Sequence, residues 1–502
     1  MVDEAIKRKP DSEIIIESGS SPSGTYHLGH LRELVTCDAI LLELRRRGRQ
    51  ARHIAYVDDL DALRKIPVNV PSDYEKYLGV SLCDIPAPDD GQRSYADYFL
   101  QGFIDANAAL NIDVEYIRTH KKYQEGFFVP AIERSLENAD KIRPILEKVS
   151  GHKLGEQWSP IQINEEGYLK KRRFLGINTR SKTISYEDKD GQTKSTGYSK
   201  GEVKLDWRID WPARWWLIGV AVEPFGRDHA TKGGSYDTGA ALSETVFGSK
   251  PPLPVPYDFV NLAGDTKKMS ASKGTGLEAS EAVQALPPEI FRFFMLRFPP
   301  QKRLYFDPVN VSKLIDDYAE LLAKADKTDG EKQLLEICSV GADSTVSSIP
   351  FSHLVESYQA ALRDPDKTLE ILSRSEYHEA ADREAETIKK ELSFIDGWLE
   401  KWAPDDIKFD VVEKIDQSKF SSTERNYLSR LADVVEKMPA DTDGETLHKA
   451  IYAFKDSDGF TPQQLFNPLY KALIGKTSGP RAGWFLAMLP RDWLLKRLRL
   501  EA

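Results

Sequence analysis

The chain has 502 residues, several times the length of a typical domain, so it is expected to fold into more than one domain. With 40% hydrophobic and 29% charged residues it has the composition of a globular protein with large cores, which excludes a disordered chain and a single small binding module. Its formal net charge of −10 argues against blanket electrostatic binding of nucleic acid, and three widely spaced cysteines suggest neither a disulfide framework nor a thiolate zinc site.

The longest apolar stretch, residues 215–222, is far short of the roughly 20 residues of a membrane helix. Residues 1–13 lack the apolar core of a secretory signal, so we expect a cytoplasmic protein without a membrane span.

The beginning of the chain has the pattern of a strand, turn, helix and strand. Residues 13–18 and 52–57 predict buried strands, and residues 28–47 predict a helix between them. In an open parallel sheet, ligands bind beyond the carboxyl ends of the strands. The sequence therefore predicts that the Gly/Ser/Pro turn and Asp58, Asp59 and Asp61 lie at one rim.

The middle of the chain predicts an insertion into this sheet, followed by its second half. Helices are expected at 95–109 and 129–149, a hairpin turn at 189–192, and strands at 211–222 and 257–262. After Phe306 the pattern is helical, with Asp307 and Pro308 suited to begin a helix and helical apolar spacing over 388–402, ended by Pro404. The predicted fold class is a split α/β parallel sheet with an inserted domain, followed by an all-α domain.

The first motif with chemical content is Ser21-Pro-Ser-Gly-Thr-Tyr-His27-Leu-Gly29-His30, between the first strand and its helix. A helix N-terminus favours phosphate, and glycines let the backbone approach it closely. Two imidazoles three residues apart share a helical face, where they can donate hydrogen bonds to a polyphosphate. Alternatively, His27 caps the helix and His30 packs beneath it.

The second motif is Lys267-Lys-Met-Ser-Ala-Ser-Lys-Gly274, after the strand at 257–262. Small residues suit a mobile loop, and lysines are point charges that can stabilise a transferring polyphosphate. Taken alone, an exposed Lys/Ser turn is the simpler interpretation.

Together the two motifs are the HIGH-like and KMSKS-like signatures of class I aminoacyl-tRNA synthetases, in the right order. Further segments narrow the resemblance: Gly19-Ser-Ser-Pro-Ser-Gly, Tyr56-Val-Asp-Asp-Leu-Asp-Ala-Leu-Arg-Lys-Ile-Pro, Trp207-Arg-Ile-Asp-Trp-Pro-Ala-Arg-Trp, Glu223-Pro-Phe-Gly-Arg-Asp-His and Lys268-Met-Ser-Ala-Ser-Lys-Gly. With these segments, residues 13–310 resemble class I lysyl-tRNA synthetases, and Gly475-Lys-Thr-Ser-Gly-Pro-Arg481 extends the likeness more weakly.

The resemblance implies formation of lysyl-adenylate from lysine and Mg-ATP, then transfer of lysine to the 2'-hydroxyl of the terminal adenosine of tRNA(Lys), with activation usually requiring bound tRNA. The implied catalytic residues are His27, His30, Lys268 and Lys273. The implied ATP site adds Pro22, Gly24, Gly29, Gly226, Asp228, Met269, Ser270 and Ser272. The lysine carboxylate itself attacks, so positioning and electrostatics would supply most of the catalysis.

The implied lysine-binding residues are Gly19, Ser21, Asp59, Asp61, Trp207, His229 and Tyr257. An ammonium group needs an anionic or aromatic lining. Other interpretations stay open here: the three aspartates can pair with Arg64 and Lys65, Trp207 can be plain core, and Asp228 can cap a helix.

The resemblance also assigns the segments of the chain. It implies a Rossmann-like catalytic domain in two halves, 1–85 and 201–275, an inserted connective and acceptor-binding domain at 86–200, a stem-contact linker at 276–330, and a helical anticodon-binding domain at 331–502. Arg481 would contact the anticodon, whereas Trp484 is expected to be a core aromatic. A monomer is expected, with ATP and Mg²⁺ as the only small-molecule partners besides lysine.

Three departures from the family pattern stand out. His30 occupies a position where lysyl class I enzymes often have Asn, and Ala271 leaves Lys268 and Lys273 as the charges of the second motif. The insertion has no cysteine pair, so no zinc is expected there. The rival functions are a glutamyl-type synthetase, which would need an arginine where the chain reads Glu17-Ser-Gly-Ser-Ser, a smaller nucleotidyltransferase, and a catalytically silent RNA-binding paralogue.

Overall fold

The computed structural model describes residues 1–89, 91–151, 153–155, 157–264, 277–340, 346–412, 414–439 and 442–501. The chain divides into two compact units. The first comprises Met1–Val283, Phe291–Phe306 and Glu336–Cys338, and the second comprises Gln284–Ile290, Asp307–Leu335 and Ser339–Ala502. The segment boundaries that the sequence predicts, at residues 85, 200, 275 and 330, stay predictions.

The strands of the described residues are β1 Ile14–Ser20, β2 Ala51–Val57, β3 Glu115–Arg118, β4 Ile161–Glu165, β5 Tyr168–Lys171, β6 Arg173–Asn178, β7 Thr183–Glu187, β8 Thr193–Gly197, β9 Val203–Leu205, β10 Val222–Gly226, β11 Leu253–Tyr257, β12 Val260–Leu262 and β13 Leu304–Phe306. The α-helices of the first half are α1 Val2–Arg8, α2 Leu28–Arg46, α3 Tyr95–Ala109, α4 Thr119–Gln124, α5 Val129–Glu137, α6 Ala139–Ser150, α7 Trp207–Ile218, α8 Ser235–Leu242, α9 Ala279–Ala282 and α10 Pro288–Leu296. Those that follow are α11 Ser312–Ala323, α12 Asp329–Cys338, α13 Phe351–Ala360, α14 Pro365–Leu372, α15 His378–Arg383, α16 Ala385–Lys401, α17 Ser422–Glu436, α18 Gly444–Asp458, α19 Pro462–Ile474, α20 Ala482–Met488 and α21 Arg491–Leu498.

The first unit is built on a parallel sheet in the order β11-β10-β1-β2-β3. β1 pairs with β2 over its whole length, with Ile14 opposite Ala51 and Ser20 opposite Val57. Apolar side chains of β1 and α2, among them Ile14, Ile16 and Leu41, form a buried core beside the sheet. Because β1 has its successor on one side and β10 on the other, the strand order reverses beside it, which is where such sheets bind ligands.

The chain leaves this sheet after β3 and returns to it at β10. Between them lie two small antiparallel sheets, β5-β4-β9 and β6-β7-β8, which pack with α5 and α6 around a core that Tyr56 of β2 and residues of α7 also join. The predicted hairpin turn at 189–192 joins β7 to β8, where the Asp188 carboxylate accepts hydrogen bonds from the backbone of Asp190 and Gln192. The insertion into the sheet is therefore confirmed, and so is the helical character of the second unit, whose core gathers apolar residues of α17 to α21.

Four predicted elements differ from the structure. The apolar run at 211–222 is not a strand but the helix α7, because Asp206 caps its start and residues on every face of it are buried, which hides the helical period. The run at 257–262 is two strands, since β11 ends at Tyr257 and β12 joins a separate pair with β13.

The other two differences concern helix boundaries. The predicted helix at 129–149 is divided into α5 and α6 at Asn138, whose side-chain amide donates to the carbonyl of Arg134. Asp307 and Pro308 do not begin a helix: the Asp307 carboxylate accepts from the N–H groups of Val309 and Asn310 in a turn, and α11 begins at Ser312. Among the described residues, no helix is long and apolar enough to span a membrane.

Candidate active site

A cavity of about 510 Å³ lies at the carboxyl ends of β1, β2, β10 and β11. The structure brings most of the predicted site residues of the described chain to its wall. These are Gly19, Ser21, His27, Gly29, His30, Asp61, Trp207, Gly226, Asp228, His229 and Tyr257. They come from five separate segments of the sequence, which the parallel sheet gathers at one edge.

The two histidines stand at the start of α2. His27 is the N-cap residue, and its Nδ1 accepts the backbone N–H of Gly29 at 3.1 Å. The Nδ1 of His30 accepts the backbone N–H of His27, also at 3.1 Å, so the two rings close a reciprocal cap. A ring nitrogen that accepts carries no proton, and therefore each neutral imidazole carries its proton on Nε2. The histidines therefore cap the helix, and the cap fixes the tautomer that leaves Nε2–H as a donor.

The end of β10 and the loop after it carry the next group of predicted residues. A Cβ added to Gly226 would lie 2.6 Å from a carboxylate oxygen of Asp228, so glycine is needed for this close approach. Asp228 does not cap a helix, since the next one, α8, begins at Ser235 with Gly234 as its N-cap. The loop therefore presents the Asp228 carboxylate at the cavity wall.

Beneath the cavity lies a network of buried charges centred on Arg214 of α7. Its guanidinium contacts Asp58 at 2.8 Å and Asp210 at 3.0 Å, with Glu17 at 3.7 Å, and it stacks on the ring of Tyr56. The carboxylates around it raise the pKa of Arg214 above its usual value, although burial alone would lower it. Arg214 is therefore bound by acids of the protein itself.

A second buried cation, Lys204, neutralises the other predicted aspartate of the cavity. Its Nζ lies 2.9 Å from the Asp61 carboxylate and 3.7 Å from that of Asp210. Although burial raises the pKa of Asp61, the Lys204 ammonium and Arg64 lower it below its usual value. Asp61 thus has its cation already, in addition to the exposed Arg64 at 3.6 Å.

Glu33 of α2 is an acid of a different kind. It lines the cavity, and its carboxylate accepts the backbone N–H of Gly19 at 2.9 Å and the hydroxyl of Tyr257 at 2.5 Å. Among the described residues no Lys, Arg or His side chain forms an ion pair with it. Burial raises the pKa of Glu33 to about 7, against the opposing effect of its two hydrogen-bond donors.

One wall of the cavity is aromatic. Trp207 is half-buried at the start of α7, and the ring of Trp211 lies 5.6 Å from that of His229. Glu223 holds this wall in place, because its carboxylate accepts the indole N–H groups of both Trp211 and Trp215. Burial raises the pKa of Glu223 well above its usual value.

Some predicted residues lie away from the cavity wall. Pro22 and Gly24 belong to the turn between β1 and α2 but do not line the cavity. Asp59 is fully buried and faces elsewhere: its carboxylate accepts from Arg118 at 2.6 Å and lies 2.5 Å from Nδ1 of His120. The structure therefore separates Asp59 from Asp58 and Asp61, because successive residues after a strand point in different directions.

Lys268, Met269, Ser270, Ser272 and Lys273 lie outside the described residues. The described chain resumes at Leu277, whose carbonyl accepts the backbone N–H of Leu28, and Ala279 donates to Tyr26. No cluster of three or more His, Cys, Asp or Glu side chains is arranged to hold a metal ion within the described part of the chain.

Sequence reasoning missed several residues of the cavity, among them Glu33, Trp211, Arg214 and Glu223. Glu33 follows His30 by one helical turn, so the helical period alone could have found it. The sequence does not indicate Arg214 as a cavity residue, because the pattern of its segment predicts a strand. Asp58 was predicted to lie at the rim, and it lines the cavity.

Arg481 belongs to the second unit, just before α20. Its side chain is exposed, and its guanidinium carbon lies 3.8 Å from the ring centre of Trp484. Trp484 is half-buried rather than a fully buried core residue, and it covers Gly444, where an added Cβ would lie 2.7 Å from Trp484.

A sheet whose order reverses beside a histidine-capped helix is the nucleotide-binding arrangement of class I aminoacyl-tRNA synthetases that the sequence motifs predict. Residues 1–340 match the model of a family described as tRNA synthetases class I (K), and residues 375–501 match that of an anticodon binding domain. The chain belongs to this family, the class I (K) tRNA synthetases. The predicted resemblance and fold class are confirmed.

Curated relatives match along nearly the whole chain. One is a lysine–tRNA ligase of Archaeoglobus fulgidus, 37% identical over 487 residues, which are 96% of this chain and 96% of that protein. Another is lysine–tRNA ligase 1 of Methanosarcina acetivorans, 34% identical over 97% of this chain and 95% of that protein. Among solved structures, a glutamate–tRNA ligase from Elizabethkingia meningosepticum is 12% identical, covers 98% of this chain and 100% of its own, and has a TM-score of 0.47. A likeness at that level bears on neither substrate nor site.

Proposed function

We propose that the protein is a lysine–tRNA ligase. It activates L-lysine with ATP to lysyl-adenylate and transfers the lysyl group to the 3'-terminal adenosine of tRNA(Lys). The observation that carries the choice of amino acid is the charge inside the cavity. Its buried cations, Arg214 and Lys204, are bound by aspartates, whereas Glu33 has no cation among the described residues, so the cavity suits a cationic side chain.

For the lysine ammonium, the structure supports Glu33 together with the Tyr257 hydroxyl. An ammonium group bound there contacts a carboxylate that already has two hydrogen-bond donors. Its positive charge compensates the free energy that burial of the charged carboxylate costs. Gly19, Ser21, Asp61, Trp207 and His229 would line the rest of the amino acid. Asp59, which contacts Arg118 and His120, is left out of this pocket.

For ATP, the support is the start of α2 and the loop after β10. The Nε2–H groups of His27 and His30 would donate to phosphate oxygens, beside the backbone of Pro22, Gly24 and Gly29 at the helix N-terminus. The Asp228 carboxylate would accept hydrogen bonds from the ribose hydroxyls of ATP. Gly226 has no side chain that would block the approach of the ribose. Lys268, Met269, Ser270, Ser272 and Lys273 would complete the phosphate site, and Mg²⁺ enters as the complex with ATP.

The chemistry follows from positioning and electrostatics. The lysine carboxylate attacks the α-phosphorus of ATP, and the leaving pyrophosphate is stabilised by hydrogen bonds from His27 and His30 and by the positive charges of the two lysines. The 2'-hydroxyl of the terminal adenosine then attacks the carbonyl carbon of lysyl-adenylate, and AMP leaves. No side chain of the protein becomes covalently attached.

The tRNA would extend over both units. Residues 86–200 would meet its acceptor end, residues 276–330 its stem, and residues 331–502 its anticodon, where Arg481 offers an exposed guanidinium. We further propose that the enzyme is a cytoplasmic monomer and that lysine activation requires bound tRNA.

The test is aminoacylation of total tRNA with each radiolabelled amino acid in Mg-ATP, with pyrophosphate exchange measured in parallel with and without tRNA. Charging with lysine alone is expected, and exchange only when tRNA is present supports tRNA-dependent activation. Charging with glutamate would keep the fold and overturn the pocket. Protein that binds tRNA but charges no amino acid would be the silent paralogue.

A further inference from the structure

A buried lysine lies directly behind the wall of the cavity in the first unit. Lys204 is in β9, and only 3% of its side chain is exposed. Its neighbours Val203 and Leu205 belong to the core beside the two small sheets. Because side chains alternate along a strand, Lys204 points the other way, and its Nζ lies 2.9 Å from the carboxylate of Asp61. Asp61 lines the cavity, whereas Lys204 is not among the described residues of the cavity wall.

A second, deeper acid holds the same lysine. The carboxylate of Asp210 in α7 lies 3.7 Å from the Nζ of Lys204 and accepts a hydrogen bond from the hydroxyl of Tyr123. Burial lowers the pKa of Lys204, but the carboxylates of Asp61 and Asp210 raise it above its usual value, so the lysine stays charged. Burial of an ion pair costs more free energy than burial of two apolar side chains, and stability alone is therefore a weak reason for this charge.

The substrate gives a stronger reason, because lysine carries two ammonium groups and a cavity with several acids can bind it in more than one way. The productive orientation has the side-chain ammonium at Glu33 and the carboxylate beside the α-phosphate of ATP. An Asp61 carboxylate without its own cation would attract the same ammonium. A lysine held there would have its carboxylate away from the α-phosphorus. Asp58, the other aspartate of the wall, is likewise neutralised by Arg214 at 2.8 Å.

We propose that Lys204 is a positioning residue that fixes the orientation in which lysine binds. By neutralising Asp61 from behind the wall, it leaves Glu33 to attract the side-chain ammonium. Specificity of this kind comes from making the wrong arrangement unfavourable rather than from tightening the right one. The inference rests on the proposed function, which makes lysine the substrate and Glu33 the partner of its side-chain ammonium.

The experiment removes the charge of Lys204 and keeps the length of its side chain, in the variant Lys204→Met. Lys204→Arg keeps the charge and tests for rescue. Lys76→Met is the matched control, because Lys76 also pairs with an aspartate, Asp73 at 3.4 Å, but does so on the exposed surface and away from the cavity wall. Steady-state lysylation at saturating ATP and tRNA gives kcat and the KM for lysine, and thermal unfolding checks that each variant folds.

In Lys204→Met, part of the bound lysine should lie with its ammonium at Asp61 and fail to react. Such non-productive binding lowers kcat and KM by the same factor, here about ten-fold, the effect of one charged hydrogen bond. The ratio kcat/KM should stay within about two-fold, because both orientations compete for the same free enzyme. Lys204→Arg should recover most of kcat, and Lys76→Met should match the unaltered protein. A purely structural role for Lys204 would instead lower kcat/KM.

A higher KM, a lower kcat at constant KM, or unchanged constants in Lys204→Met would overturn the inference. If this variant does not fold, Lys204→Met/Asp210→Asn takes its place. That double variant removes one buried cation together with one buried acid, and Asp61 is then the wall residue that lacks its partner. The same equal fall of kcat and KM is expected from it, and its absence would overturn the inference as well.

Lysylation by the unaltered protein separates this inference from the proposed function. A protein that charges lysine, but whose variants lack the equal fall of kcat and KM, has the function without this role of Lys204. A protein that charges no lysine has neither.

Discussion

Glu33 shows how a single side chain can set the charge inside a cavity. Its carboxylate is held by the Gly19 N–H and the Tyr257 hydroxyl, and burial raises its pKa to about 7. Near neutral pH the group is therefore partly protonated in the free protein. An entering ammonium group would favour the charged form, so lysine binding and loss of a proton from Glu33 are expected to be linked.

The first prediction concerns the pH dependence of the KM for lysine. Because only the carboxylate attracts the ammonium, KM should fall about ten-fold as pH rises from 6 to 8 through the pKa of Glu33. Glu33→Gln should raise KM and remove this dependence. Tyr257→Phe removes a hydrogen bond that lowers the pKa of Glu33, so the fall in KM should move to higher pH. A pH profile of lysine KM that is the same in all three proteins would contradict this role.

The site residues that sequence reasoning could predict are those that stand together in short motifs. His27, Gly29 and His30 lie within four consecutive positions at a strand-to-helix turn, and Gly226, Asp228 and His229 stand at the end of a strand and just after it. Arg214 and Lys204 could not be predicted, because each acquires its role from acids that are distant in sequence. Asp59 was predicted from its neighbours, yet Arg118 and His120 turn it away from the cavity.

At the scale of whole elements, sequence patterns predict the type and bounds of an element correctly where that element has one buried face. α2 and α3 begin and end within a residue or two of their prediction, since caps and apolar spacing mark them. The strand predicted in the segment of α7 is wrong because Ile209, Trp211, Ala213 and Trp215 are all buried. An element that is buried on every side shows no hydrophobic period in its sequence.

Helix α16 offers a second prediction, on stability. Glu391 in this helix is fully buried, and its carboxyl accepts the backbone N–H of Ser347, which ties α16 to the segment before α13. Burial raises the pKa of Glu391 to about 8 from 4.5. The folded state therefore holds a proton that the unfolded state has lost, so stability falls as pH rises from 4.5 to about 8.

Glu391→Gln keeps an oxygen for Ser347 and removes the titration. Between pH 6 and 9 the unaltered protein should lose on the order of 2 kcal/mol more unfolding free energy than the variant, from the slope of roughly 1.4 kcal/mol per pH unit. Denaturant unfolding at the two pH values measures this difference. Glu384→Gln is the control, because partners lower the pKa of Glu384, and its variant should not flatten the dependence over that pH range. Parallel losses in all three proteins would show that Glu391 does not titrate in this range.

At the scale of the whole molecule, the chain combines two units with different chemistry. The first gathers histidines and buried acids at a sheet edge, which suits a nucleotide and a cationic amino acid. The second is helical, and residues 375–501, which include the exposed Arg481, match an anticodon binding domain. The formal net charge of −10 fits this division, because tRNA would be recognised at local sites rather than by overall attraction.

This division of labour predicts that substitutions in the two units affect different kinetic constants. Lys268→Ala removes a charge that would neutralise the leaving pyrophosphate, so kcat for lysylation should fall about 100-fold or more while the Kd for tRNA is unchanged. Arg481→Ala should raise the KM for tRNA about ten-fold and leave kcat at saturating tRNA within about two-fold. Steady-state lysylation and filter binding of each variant give these constants. The matched controls are Lys267→Ala, beside Lys268, and Arg425→Ala, which changes an exposed arginine on α17. Equal loss of kcat and of tRNA affinity in both Lys268→Ala and Arg481→Ala would mean that catalysis and anticodon reading are not separated in this way.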